Sequence, residues 1–490
     1  MKILVTGGSG VIGEGVIPEL VARGHHVRLL SRHADGDAKR WEGVEAFRGN
    51  VADASSLNGA ATGCEAVLHI AGIVTEEAPE VTFANVNVGG TRNLLAEAER
   101  ANARRFVFVS SLGADVGASE YHKSKREAEV LVESSDLHWT IVRPGNVYGP
   151  GDEVISTILK MVRSLPAIPM IDSGEQSFQP IWHEDLARIL ALVVEREDLR
   201  GQVLEAAGAE VTNMRDLIVK FGEITGRSPA RVPVPMALAQ WTTQLASLVV
   251  DLPVDDNKLT MLEEKNVVRG RGAARVVGVT TTSLDEGLRK LADALNEALP
   301  EEGVGSLEHK TFFADIRGSR FSAASLMTHF REHVNDFMPI EFVAEPGAPD
   351  RIEKGATLTG SLPLRGNFQV RVEVSEPTHV VFATIEGHPL SGIVEFRTHA
   401  NNGLLRFAVE TWTRPSNVFD WLAAKTIGAP AQDANWRAVV RRVIDASGGT
   451  SDGVQQEKET LSGEDAARVE ERVKAMVQER KREEMRAQRG

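Results

Sequence analysis

KILVTGGSGVIG, residues 2 to 13, decides how the first part of the chain is read. An apolar, β-branched run ends at Thr6, a glycine-rich turn follows, and Val11 and Ile12 open a helix, so the pattern is strand, tight turn, helix. Gly7 lets the chain turn sharply, Gly10 lets the backbone approach a pyrophosphate, and Gly13 lets the helix pack on the strand, while the helix N-terminus favours negative charge. A plain tight turn is the competing reading. Its position at the head of an alternating strand and helix pattern argues against it.

That alternation runs from Lys2 to about Val194. KILVT, HVRLLS, EAFRG, AVLHIA, RFVFVSS and HWTIVRP are short apolar runs separated by helical stretches, which predicts a Rossmann-like, doubly wound α/β parallel sheet. Between about 208 and 298 the texture changes to helices broken by VPVP at 232–235 and DLPVDD at 251–256, a small helical lobe completing a unit of residues 1–300. After the linker EEGVG (301–305), residues 306–446 carry seven strand-like runs, with a helix after the first and a long one after the last. That order predicts an α+β unit with one antiparallel sheet around a terminal helix. Residues 447–490 form a charged helical tail, a solvated helix or an oligomerisation strip with Val469, Val473, Met476 and Val477 at helical spacing. The strip would make a homodimer.

Composition narrows the partners. A net charge of -14 over 490 residues argues against a broad nucleic-acid surface. The single cysteine, Cys64, rules out an intramolecular disulfide and suits a reducing compartment. The chain enters a strand at once, with no charged and apolar leader, and its longest apolar stretch, around Met236 to Val250, is interrupted by polar residues. A cytoplasmic protein without a transmembrane segment is expected. Thirteen histidines are scattered without carboxylate partners at ligand spacing, so no metal site is expected. His25 and His26 fall in a turn before the second strand.

At the end of the second strand a carboxylate would bond an adenosine ribose. Ser31 and Arg32 stand there instead, and a guanidinium suits a 2'-phosphate, which favours NADP over NAD. Asp53 is placed at the adenine edge, and Ala71 and Gly72 let the backbone pass close to the cofactor. Val11, Ile12, Val51, Lys125 and Pro144 complete the candidate cofactor set. Tyr121 and Lys125, in YHKSK, share a helix face four residues apart. They are a proton-transfer pair or an ordinary solvated helix start.

Taken together these motifs resemble the short-chain dehydrogenase/reductase superfamily in its extended or atypical, epimerase/dehydratase-like branch. The resemblance covers about residues 1 to 300. It rests on the glycine loop, HIAG (69–72), NVNVGGTRNLL (85–95), FVFVSSLGA (106–114), Tyr121 with Lys125, RPGNVYGPGD (143–152) and FQPIWHEDLA (178–187). The phrasing SSLGAD and LHWTIVRP is closest to the branch that includes a nucleotide-binding accessory subunit of respiratory complex I, with sugar-nucleotide epimerases and 3β-hydroxysteroid dehydrogenases further off. The resemblance implies that Tyr121 exchanges a proton with the substrate oxygen, that Lys125 lowers the phenol pKa and holds the nicotinamide ribose, and that Ser111 hydrogen-bonds the reacting oxygen. Departures are a short gap between Ser111 and Tyr121, Asn50 where an aspartate is common, and Arg32 in place of an acidic ribose ligand. Arg143, Pro144 and Asn146 either shape the substrate mouth, as in relatives, or make a structural turn.

The last third resembles a family of unknown function with an expected helix-grip, START-like fold, through FATIEGHPLSGIVEF (382–396) and ETWTRPSNVFDWL (410–422). Such folds enclose an apolar cavity, with His388 and Arg414 as its polar residues here, unless these are a turn histidine and a surface arginine. The expected function is an NADP-dependent oxidoreductase acting on a hydroxyl or keto group of an apolar or isoprenoid-like small molecule. Rival readings are a non-catalytic NADP(H)-binding scaffold or assembly factor, a lipid-binding redox sensor, and a sugar-nucleotide epimerase or dehydratase.

Overall fold

The computed structural model describes residues 1–490 except 153, 165–166, 172–173, 226–227, 235–265, 295–296, 340–341, 345–351, 363–365, 402, 417–428 and 488–490. DLPVDD and the apolar stretch Met236 to Val250 lie outside the described residues. The six strand-like runs of the first part form β1 (Lys2–Thr6), β2 (His26–Ser31), β3 (Glu45–Arg48), β4 (Ala66–His69), β5 (Arg105–Val109) and β6 (His138–Pro144). A seventh, β7 (Gln202–Ala206), lies beyond the stretch in which sequence places strands. All are parallel, in the order β7-β6-β5-β4-β1-β2-β3. Successive side chains of a strand point to opposite faces, and both faces here are covered. Ile3 and Val5 meet α1 (Val11–Ala22) and α5 (His183–Glu195), whereas Leu4 meets α2 (Gly90–Arg100) and α3 (Glu120–Glu133). The order reverses between β1 and β4, which opens a crevice beyond their C-terminal ends.

The lobe packs α4 (Ile155–Ser164), α6 (Met214–Thr225) and α7 (Leu284–Asp293) around Ile155, Leu217, Phe221 and Leu288. It is not purely helical. Ala167–Ile171 pairs in parallel with Ala230–Val234, so part of VPVP is strand, and the lobe draws this ribbon and α4 partly from before residue 208.

The last part is an eight-stranded antiparallel sheet. Its strands are β8 (Leu307–Arg317), β9 (Phe342–Ala344), β10 (Thr357–Leu362), β11 (Gly366–Glu376), β12 (His379–Thr384), β13 (Leu390–Asn401), β14 (Leu404–Pro415) and β15 (Gln455–Leu461), in the order β9-β10-β11-β12-β13-β14-β8-β15. α8 (Ala323–Glu332) and α9 (Ala429–Ser447) cover one face, where Val380 and Phe382 join Phe330, Phe396, Phe407 and Val439. Alternate residues Val381 and Ala383 point to the other face, onto α10 (Gly463–Ala487).

This corrects the reading of the tail as solvated or as an oligomerisation strip. Residues 455–461 are the edge strand β15, and Val469, Val473 and Met476 pack on the sheet, so the apolar strip is occupied within the chain. Arg414 is tied to Glu470 of α10, and Arg472 Nη2 lies 3.0 Å from the buried Glu395. Buried Arg480 pairs with Glu297 and Glu373, and its Nε is 2.8 Å from Glu373 Oε2. His388 is a turn residue whose Nδ1 accepts the Leu390 N–H at 2.9 Å. The linker runs along the sheet, with Ala298 N–H donating to Thr384 O at 2.7 Å and Val304 N–H to Pro415 O at 2.7 Å. No helix among the described residues is long and apolar enough to cross a membrane.

Candidate active site

The glycine turn has the geometry its spacing predicts. Gly7 has φ +75°, and a Cβ there would lie 2.7 Å from Ala71 N. A Cβ at Gly13 would overlap the Gly7 carbonyl, so the helix sits too close to the turn for any side chain. At Gly10 a Cβ meets nothing nearer than the Gly7 carbonyl at 3.7 Å, which leaves open a cradle suited to a pyrophosphate on the N-terminus of α1.

A cavity of about 1000 Å³ extends from this cradle across the ends of β1, β4 and β5 into the lobe. Gly7, Gly10, Val11, Ile12, Arg32, Val51, Ala71, Gly72, Ser111, Tyr121, Lys125 and Pro144 line it. Gly13 and Asp53 do not. Gly13 packs beneath the turn. Asp53 is exposed, and its carboxylate accepts the Ser55 N–H at 3.0 Å and the Ser55 hydroxyl at 2.7 Å, which caps the short turn Ala54–Leu57. It is a capping residue, and Asn50, Val51 and Ala52 form the wall at that point. Arg32 lies on the cavity edge, while the Ser31 hydroxyl donates to Asp37.

Ser119 starts α3 by accepting the His122 N–H at 3.2 Å. The buried face of that helix is unusually polar, with Ser124, Lys125 and Glu129 beside Ala128 and Val132. Such breaks in binary pattern concentrate at functional sites. Tyr121 bonds the Ser111 hydroxyl, yet burial pushes its phenol above the ordinary value, and that bond only partly offsets the push. The phenol therefore does not lie below its ordinary value in the protein alone. Its ammonium donates to Val109 O at 2.7 Å and stands 4.6 Å from the Phe108 ring centre. Burial brings Lys125 down to about 8, against the opposing charge of Glu129.

Two residues escaped the sequence reading although their motifs were noticed. Asn87, on the π-helical turn Ala84–Gly89, accepts the Ile73 N–H at 2.9 Å and donates to Ser124 Oγ at 3.0 Å, and Ser124 donates to Tyr121 O at 2.7 Å. It thereby ties the loop after β4 to the helix of Tyr121. His69 sits between Thr6, at 2.8 Å, and Thr91, at 3.1 Å, and burial followed by the Lys125 charge takes it down to about 3, so it is neutral. A buried Asn in NVNVGG and a His ending a strand were the available signals. Arg143 faces away from the cavity, held by Glu129 at 2.7 Å, which leaves Pro144 and Asn146 at the wall.

The lobe end of the cavity is apolar, formed by Val81, Ile158, Met161, Met170, Phe178 and Met214. One half-buried carboxylate, Asp152, stands there. It accepts the Ile155 N–H at 2.7 Å and the Ser156 hydroxyl at 2.6 Å at the start of α4, and burial raises it nonetheless.

Residues 7–159 match a family described as NAD(P)H-binding. The chain is similar to ceramide reductase of Caulobacter vibrioides, with 34% identity over 172 residues, 34% of this chain and 53% of that protein. It is 29% identical over 262 residues to sterol demethylase protein B of Methylococcus capsulatus, covering 49% of this chain and 79% of the relative. The chain thus spans about half the length of the first relative. Among solved structures, UDP-glucose 4-epimerase of Thermus thermophilus in complex with NAD is 24% identical at a TM-score of 0.48, over 60% of this chain and 98% of that one. The parallel sheet, the glycine turn and the match over residues 7–159 together make the first part of the chain a Rossmann-like domain similar to NAD(P)H-binding proteins.

Proposed function

We propose that the protein is an NADP-dependent oxidoreductase that interconverts a ketone and an alcohol on an apolar, isoprenoid-like or lipid-like small molecule. The observation that supports it is a single cavity with Ser111, Tyr121 and Lys125 on one wall and an apolar lobe surface at the far end. The names of the relatives, a ceramide reductase and a sterol demethylase protein, point to lipid substrates as well. In this reading the glycine cradle holds the pyrophosphate, Arg32 takes the 2'-phosphate, and Lys125 reaches the ribose. The nicotinamide, when bound, supplies or accepts the hydride. Tyr121 gives its proton to the substrate oxygen in reduction and takes it back in oxidation. Ser111 donates a hydrogen bond to the same oxygen, and the charge on Lys125 favours the phenolate that forms.

The antiparallel unit is read as a helix-grip domain, from its long helix packed on one face of the sheet. Lys160 of α4 lies 2.9 Å from Glu386 in the turn before β13, next to the cavity residues Ile158 and Met161. That contact favours a role in holding the lobe or presenting substrate to it.

The test is NADPH oxidation by the full chain with 5α-cholestan-3-one and a 3-keto sphingoid base. Turnover with either supports the reading. NADPH binding without turnover on any apolar ketone would favour the scaffold. The pH profile gives a second check. Tyr121 lies above its ordinary value of 10.0, so it stays protonated through neutral and mildly alkaline pH, whereas Lys125 loses its charge as pH rises through about 8. Reduction should therefore be flat below that point and fall above it. A profile level to pH 10 would remove the Lys125 charge from the reaction. Arg32→Asp should raise the KM for NADPH on the order of tenfold to a hundredfold, as loss of a charge-assisted bond implies. An unchanged KM would place the 2'-phosphate elsewhere.

A further inference from the structure

The loop 112–120 joins Ser111, just past β5, to Tyr121 and Lys125 on α3. It folds on itself, with Ala114 N–H donating to Ser111 O at 3.0 Å and Gly117 N–H to Gly113 O at 2.7 Å. Asp115 carries it outward. One carboxylate oxygen lies 3.0 Å from Arg143 Nη1 and the other 3.1 Å from Arg269 Nη2. Burial would push the Asp115 carboxyl up, but these two guanidiniums outweigh it and hold it below the usual range.

The chain of charges continues in both directions. Arg143, at the end of β6, grips Glu129 through two bonds of 2.7 Å. Glu129 is fully buried on α3, one turn past Lys125, and also takes Arg126 at 2.8 Å. At the other end, Arg269 is anchored by its own N–H to Glu205 Oε2 at 2.7 Å, three residues after Asn266 on the cavity wall. None of Asp115, Glu129, Arg143 and Arg269 lines the cavity.

We propose that Arg269, Asp115, Arg143 and Glu129 act as one positioning device, a clasp that ties the lobe side of the cavity to the loop and helix carrying Ser111, Tyr121 and Lys125. This rests on the oxidoreductase reading of those three residues. The two halves of the clasp differ in strength. Arg143 and Glu129 are buried and bidentate, so the inner half is rigid. Arg269 and Asp115 have side chains 49% and 33% exposed, where a single pair contributes little and opens easily. The outer pair is therefore the element that opens and closes, and the inner pair passes its state to α3. Reaction depends on placing the groups to within a fraction of an ångström, so a weak pair remote from the chemistry can govern the rate.

The experiment compares the wild-type full chain with Asp115→Asn, Arg269→Gln, the double variant and Asp115→Glu. Hydrogen exchange is followed over residues 112–120, and NADPH oxidation is followed with 5α-cholestan-3-one. The clasp predicts at least fivefold faster exchange at Ala114, Val116 and Gly117 in Arg269→Gln. It predicts about a tenfold fall in kcat with the KM for NADPH within twofold, a double variant no worse than Asp115→Asn alone, and partial rescue by Asp115→Glu. Unchanged exchange in the loop, faster exchange with unchanged kcat, or losses that multiply in the double variant would each overturn it. If the wild type leaves NADPH unoxidised with 5α-cholestan-3-one and with the 3-keto sphingoid base alike, the oxidoreductase reading fails. The loop's exchange in Arg269→Gln still decides whether the tie to the lobe exists.

Discussion

Tyr121→Phe lowers turnover by about a thousandfold and leaves NADPH binding within a factor of about two, in the range that a positioned proton donor contributes. The substitution removes one hydroxyl. The ring keeps its neighbours, Phe83 with centroids 6.1 Å away and His122 at 5.2 Å, so α3 stays in place and Lys125 keeps its bond to Val109 O. What disappears is the bond to Ser111 and the only proton that Tyr121 could exchange with a substrate oxygen. Single-turnover oxidation of NADPH measures the chemical step, and titration of NADPH fluorescence measures binding. A kcat within threefold of wild type would assign the proton to another group. A parallel loss of NADPH affinity would mean that the hydroxyl serves the cofactor and not the substrate.

Arg480→Ala has the largest effect on stability, on the order of 3–5 kcal/mol, because it strands buried charge. Its guanidinium is 2% exposed and lies between Glu297 and Glu373, themselves almost fully buried. Burial already raises the Glu373 carboxyl despite Arg480, and the nearby Glu297 pushes it the same way. Without the arginine, Lys481, 2.8 Å from Glu297 and 41% exposed, and the charge of Arg371 near Glu373 remain to offset the two carboxylates. The sign with pH follows. A carboxyl whose folded pKa lies above its unfolded value costs stability once pH exceeds the unfolded value, so the defect should shrink as pH falls towards 5. Urea unfolding monitored at Trp412, which packs in the same cluster as α10, gives the number. A loss under 1 kcal/mol would show that α10 is held by its apolar strip alone. Restoration of stability by Glu297→Gln and Glu373→Gln in the Arg480→Ala background would show that the penalty is charge and not packing.

The first six strands and the glycine turn were legible because their signals are local. A β-branched run buried on both faces, such as RFVFV in β5, is apolar at every position after its first, and the roles of Gly7 and Gly13 follow from chain geometry within a few residues. β7 carried a weaker signal. Of QVLEA only Leu204 and Ala206 are buried, since it is the edge strand of its sheet. β15, QQEKETL, is mostly exposed and polar, with three charged residues at its centre, as suits an edge strand that must not pair with other chains, and the same composition reads as tail. At the site, Ser111, Tyr121 and Lys125 were legible from their motifs. The capping role of Asp53 and the inward turn of Arg143 were not, because each depends on which backbone or carboxylate lies nearest in space.

By itself the sequence determined a doubly wound parallel sheet with its glycine turn, a second antiparallel unit and most of the residues that line the cavity, since periodicity, glycine spacing and a helix face act over fewer than about ten residues. Only the tertiary structure decided that the charged tail closes the second sheet, that burial moves Tyr121 up and Lys125 down to about 8, and that Arg269 reaches Asp115. Those outcomes depend on desolvation and on charges brought together from distant parts of the chain. A carboxylate's environment is set by the fold that surrounds it and not by its neighbours in sequence.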